Sequence, residues 1–257
     1  MSSRHGTSSR SSPAGIILYD VRGHTSQPWA PNIWRVRFIL NYKRLPYQTS
    51  WLAFQDVERE LSRIGAPPSS YRSDNSPVYA LPVVVDHARN PSRPKVVSGA
   101  SKIAEYLEAS YPARPIFPDG SRAMQAMFVH YIQEVLSKPL LPIMVPISHQ
   151  QLPEQTQAHF RGGYDASGTL VGPQREHAWL AVQEQFNFLA KIMDKNIDGD
   201  GIVSMGHDVT YADFTIVSIL IWIERMAPHD GWARVRTWNG GRWTRLWDRC
   251  REYMEVY

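Results

Sequence analysis

Order begins at Gly15, where Ile16, Ile17, Leu18 and Tyr19 form a short apolar run rich in β-branched and aromatic residues. Such a run predicts a buried strand. Pro31 then opens a segment in which Ile33, Trp34, Val36, Phe38, Ile39 and Leu40 give a helical apolar face as far as Tyr42. Proline suits the first turn of a helix, where the N–H it lacks would be unpaired in any case. Residues 47–52 alternate weakly and predict a second strand, and residues 56–64 predict a short polar helix closed by Gly65 and the prolines after it. Val83, Val84 and Val85 predict a strand that begins only after Pro82, because proline withdraws a ladder donor. A short run at residues 95–97 precedes a helix at 100–110, with Ile103, Tyr106 and Leu107 on one face. Residues 15–111 therefore read β-α-β-α-β-β-α, a small α/β unit.

Past Ser121 the strand signal stops. Met124, Met127, Phe128, Tyr131, Ile132 and Val135 mark one helix, and Trp179, Val182, Phe186, Leu189, Ile192 and Met193 a second. Residues 214–226 form a third, apolar on most sides, and residues 242–254 a last amphipathic one. Thr210 and Asp213, three apart at the start of the third helix, have capping-box spacing with aspartate in place of the usual glutamate. Pro112, Pro115 and Pro118 make residues 112–120 a linker, so residues 121–257 are expected as an all-helical domain. Residues 139–172, with Pro142, Pro146, Pro153, Gly162 and Gly163, are weakly periodic and predict a long loop.

Composition narrows the classes of function. Among 257 residues, 28 Lys and Arg against 24 Asp and Glu leave a formal charge of +4, and no basic run exceeds two residues. Nucleic-acid binding needs clustered charge and is not expected. The most apolar stretch, residues 214–223, is far shorter than the roughly 18 residues of a membrane helix, so a soluble, cytoplasmic protein without membrane association is expected. Residues 1–14, Ser-rich and free of acids, read as a disordered arm. The one cysteine, Cys250, excludes an intrachain disulfide or a thiolate zinc cluster and reads as a packed residue. Asp194 to Gly199 begin like a calcium loop, but its twelfth position is Met205 rather than a carboxylate. The histidines lack metal-binding spacing, and no metal is expected.

Ala80-Leu81-Pro82-Val83-Val84-Val85-Asp86, the stretch from Val96 to Glu108, and Asp208-Val209-Thr210-Tyr211-Ala212-Asp213-Phe214 together resemble the glutathione transferases. Residues 29–43 resemble a narrower group, the etherase-like fungal transferases and related bacterial lignin β-etherases. The resemblance implies a thioredoxin-like α/β N-terminal domain, an all-α C-terminal domain, glutathione as cofactor and a homodimer. It implies that Pro82 is cis and that the backbone of Leu81 pairs with the cysteinyl part of glutathione. The γ-glutamyl carboxylate is then expected at the head of the helix opened by Ala100, near Ser98 and Ser101, where backbone N–H groups and the helix dipole favour an anion. The family's acid-serine pair falls on Gly99-Ala100, which predicts weaker or differently posed glutathione.

The serine that activates the thiol in etherase-like members falls on Ala30. Candidate replacements are the helix N-terminus, the Asn32 amide, or a hydroxyl of Ser26 or Thr25 on the preceding loop, with Asn32 the better placed. Trp29, Met124, Met127, Phe128, Tyr131 and Trp222 are the candidate lining of a pocket for a bulky, planar, apolar electrophile, with the 139–172 loop as its cover. The expected activity is addition of the glutathione thiolate to such a molecule. The alternatives are a glutathione-dependent cis-trans isomerase and a non-catalytic binder of apolar aromatics.

Overall fold

The computed structural model describes residues 15–23, 27–154, 156–157, 170–197 and 199–257. Strand β1 (Ile16–Val21) is followed by helix α1 (Pro31–Tyr42) and by β2 (Tyr47–Leu52), which lies parallel to β1. Next come the short helix α2 (Val57–Arg63), a two-stranded ribbon of β3 (Ser70–Tyr71) and β4 (Pro77–Val78), β5 (Val83–Asp86), β6 (Lys95–Ser98) and α3 (Ala100–Ser110). The main sheet has the order β2-β1-β5-β6, with β5 antiparallel to both neighbours. Val83 starts the ladder, so the proline at 82 stands just outside it and withdraws no donor. Asp86, buried at the end of β5, accepts hydrogen bonds from the hydroxyls of Tyr106 and Tyr111 at 2.8 and 2.6 Å. Burial, and then the Asp86 carboxylate, push the Tyr106 phenol up to about 12.

Beyond residue 120 the elements are helical: α4 (Arg122–Tyr131), continued by one π turn, α5 (Leu141–Gln150), α6 (Gly172–Met193), α7 (Tyr211–Met226) and α8 (Trp238–Arg249). Helix α8 contains Asn239, Gly240 and Gly241 in left-handed conformations, a break that the Asn-Gly-Gly sequence permits. Helix α5 corrects the loop expected over residues 139–172. Pro142 occupies its first turn, and Pro146 interrupts its interior at a cost of about 3 kcal/mol in an isolated helix. Burial of Leu140, Ile143 and Met144 offsets that cost, and this is why local pattern concealed the helix. Much of the remaining stretch, 158–169, lies outside the described residues.

Sheet and helices share one continuous apolar core, and α1 is its middle layer. Phe38 of α1 stacks flat on Phe214 of α7, with centroids 5.3 Å apart and planes 2° from parallel. The predicted capping box forms: the Thr210 N–H and hydroxyl donate to Asp213 Oδ2 at 2.8 and 2.9 Å, and the Ser204 N–H donates to Oδ1 at 2.6 Å. Burial pushes the Asp213 carboxyl up, and these donors oppose it only in part. Removing the carboxylate strands three buried donors, so Asp213→Ala is expected to lower stability by about 2–4 kcal/mol in urea unfolding. A change below about 0.5 kcal/mol would contradict this reading of the cap.

Candidate active site

Between the α/β layer and α5 lies a cleft of about 700 Å³. Its floor is the head of α1, where Trp29, Ala30 and Asn32 face it; Phe54, Tyr79 and Leu81 form one wall and His149 and Leu152 the other. The loop before α1 is tied down by the Trp34 indole, which donates to the Pro28 carbonyl at 2.8 Å. Gln55 accepts a hydrogen bond from the Thr156 hydroxyl at 3.3 Å across the cleft. At the rim, Glu58 and Arg72 form an exposed ion pair at 3.7 Å. Burial lowers the pKa of His149, which keeps that wall uncharged at neutral pH.

The Leu81–Pro82 peptide is cis, and Leu81 lies half-buried on the cleft wall, outside the ladder that begins at Val83. The Pro82 carbonyl accepts from the Gly99 N–H at 3.0 Å, which sets the head of α3 beside the proline. Gly99 has φ 89°, a conformation L side chains rarely adopt, so the backbone itself favours glycine at this cap. Ser98, immediately before it, is buried, and its hydroxyl has no hydrogen-bond partner among the described residues. Asn32 extends from the first turn of α1; its Oδ1 accepts from Arg35 Nη2 at 2.6 Å. Ala30, the N-cap of α1, makes no side-chain cap bond.

Residues 29–110 match the family model "Glutathione S-transferase, N-terminal domain", and residues 123–253 match "Glutathione S-transferase, C-terminal domain". The chain belongs to the glutathione S-transferase family. A solved relative is the glutathione S-transferase CsGST63524 of Ceriporiopsis subvermispora in complex with glutathione. It is 32% identical, covers 95% of this chain and 99% of its own, and superposes with a TM-score of 0.84. Glutathione transferase GSTFuA3 from Phanerochaete chrysosporium is 30% identical, with 95% and 98% covered and a TM-score of 0.84. The glutathione S-transferase-like protein ustS of Aspergillus flavus is 23% identical over 243 residues, 90% of this chain and 87% of that protein.

Within this transferase fold the expected site residues separate into those at the cleft and those elsewhere. Asn32, Leu81 and Trp29 line it. Pro82 and Ser98 are buried and are not part of its lining, Ala100 is buried in the first turn of α3, and Ser101 is exposed, its hydroxyl 3.4 Å from that of Tyr211. Ser26 and Thr25 lie outside the described residues. The other five expected pocket residues do not line this cleft. Met124 and Met127 are 60% and 65% exposed on the outer side of α4. Phe128 packs half-buried on the core, and the Tyr131 hydroxyl donates to Gln185 of α6 at 3.2 Å. Trp222 is a core residue whose indole donates to Ser148 at 2.7 Å. Helical spacing identifies a stripe but not the neighbour it meets.

The residues missed are Phe54, Tyr79, His149 and Leu152 on the walls and Arg35 beneath the floor. Arg35 left a trace, as one of two arginines inside an otherwise apolar helical run. His149 was hidden with its helix. In a histidine NMR titration the His149 imidazole is expected to titrate below the ordinary 6.5, its charged form disfavoured by burial. A midpoint at or above 6.5 would contradict the placement of this wall.

Proposed function

We propose that the chain is a glutathione-dependent transferase whose cleft seats glutathione and directs its sulfur at a bulky apolar electrophile. The Ser98 hydroxyl carries this reading: it is buried at the head of α3 and has no partner among the described residues, at a helix N-terminus whose N–H groups and dipole favour a carboxylate. The cis Leu81–Pro82 segment beside it offers backbone groups for the cysteinyl part of the tripeptide. With that end seated, the sulfur belongs near the head of α1, where Ala30 offers no donor and Asn32 offers an amide. In the reaction the thiol releases its proton to solvent, the thiolate forms a bond to the electrophilic carbon, and for an aryl halide the halide leaves. Trp29, Phe54 and Tyr79 supply flat apolar surface for the second substrate.

The non-catalytic alternative is favoured by one observation, the methyl group of Ala30 at the head of α1. Calorimetry and a conjugation assay with an activated aryl halide separate the readings. The transferase binds glutathione at or below millimolar concentration and turns the halide over, whereas a pure binder of aromatics gives no heat with glutathione. Loss of the Ser98 hydroxyl is expected to weaken glutathione about five-fold, the effect of about 1 kcal/mol from one hydrogen bond. Unchanged affinity in Ser98→Ala would overturn the placement of the carboxylate. Recovery of all glutathione after conversion of a conjugated alkene would identify an isomerase instead.

A further inference from the structure

Helix α1 buries two guanidinium groups, and they are treated differently. Arg37 meets Asp20 at 2.9 Å, a buried ion pair with additional bonds to Tyr47 and Thr49. Arg35, 4% exposed, makes no ion pair with a described carboxylate. Its contacts are neutral: Nη2 donates to Asn32 Oδ1 at 2.6 Å, and Nη1 lies 3.4 Å from the Tyr211 hydroxyl at the start of α7. An uncompensated charge in the interior is costly, and a fold retains one where something charged or polar is to be served.

Arginine has only donors, so the Asn32 atom on the guanidinium must be the amide oxygen. This settles the amide orientation without reference to hydrogen positions. The NH2 group is then the part of Asn32 left for the cleft, and among the described residues it donates to none. We propose that Arg35 is a positioning residue: it holds the Asn32 amide oxygen inward so that the NH2 donates to the glutathione sulfur, replacing the hydroxyl that Ala30 lacks. The inference rests on the proposed use of glutathione. Neutral Asn32 alone is free to present either end; pinned by Arg35 it presents a donor, whose dipole is reinforced by the positive charge behind it. Tyr211 couples this arrangement to the helical layer, with Ser101 of α3 on its other side at 3.4 Å. Among the described residues, the remaining charged or titratable groups facing the cleft are Glu58 and Arg72, paired with each other, Tyr79, and His149, whose charged form burial disfavours.

The test is the thiol pKa of bound glutathione, followed by thiolate ultraviolet absorbance against pH in the intact protein. A residue needed only for folding would not move it. Arg35→Met is expected to raise that pKa by about one unit, with about a ten-fold loss of turnover at neutral pH and glutathione affinity changed less than two-fold. Arg35→Lys, which keeps a cation able to donate to Oδ1, restores most of the loss. Should Arg35→Met not fold, Asn32→Asp decides: the carboxylate satisfies the guanidinium but presents no donor, and the thiol pKa must rise. A wild-type thiol pKa in Arg35→Met or in Asn32→Asp overturns the proposal. If Asn32→Ala raises the pKa while Arg35→Met does not, Asn32 acts without Arg35. If glutathione does not bind the unaltered protein, the underlying transferase reading has failed first.

Discussion

Helix α1 and its C-cap residue carry three basic side chains, Arg35, Arg37 and Lys43, into an interior that excludes water, and how each is satisfied sets where the head of the helix meets the cleft. Each ion taken out of water costs several kcal/mol unless partners surround it. Arg37 finds them on the sheet, in Asp20, Tyr47 and Thr49. Lys43 finds them at the far end of α1, in Glu108 of α3 at 2.6 Å and in the carbonyls of Tyr111, Ala113 and Arg114. Glu108 in turn accepts from the N–H groups of Ile116 and Phe117, so the segment between the layers is held by the same cluster. Arg35 alone turns toward the cleft, through Asn32. The helix is thus clamped in its middle and at its end, and its first turn faces the cleft.

Clamping of this kind suits a site built largely from backbone. A cis segment at Leu81–Pro82 and a helix head at Gly99 keep their shape whatever side chains surround them, because sheet register and the bond from Gly99 to the Pro82 carbonyl hold them. Side chains supply the remainder in small number: the buried Ser98 hydroxyl, the Asn32 amide and the aromatic faces of Trp29, Phe54 and Tyr79. Chemistry that needs a reactive side chain is absent from this set. Cys250 is buried and its thiol is pushed up by burial, so it is no nucleophile, and the proposed chemistry uses the sulfur of glutathione instead.

What local pattern could express was legible in the chain. The valine run after Pro82 defined β5, Thr210 and Asp213 defined the cap of α7, and the apolar face of α1 placed the middle of the core. Helix α5 was not legible, because Pro142 and Pro146 speak against a helix locally and only burial of its apolar face speaks for it. The surroundings of the α4 stripe were not legible for a related reason: Met124 and Met127 recur at helical spacing whether they meet a core, a ligand or solvent, and here they are exposed. Arg35 was legible only as an oddity, since its meaning depends on Tyr211, 176 positions away.

A structure of the glutathione complex measures the central claim most directly. The sulfur is expected within about 3.5 Å of Asn32 Nδ2, with Oδ1 still on Arg35 and the γ-glutamyl carboxylate on the Ser98 hydroxyl. A sulfur seated away from α1, or an Asn32 side chain released from Arg35 and turned from the ligand, would contradict it.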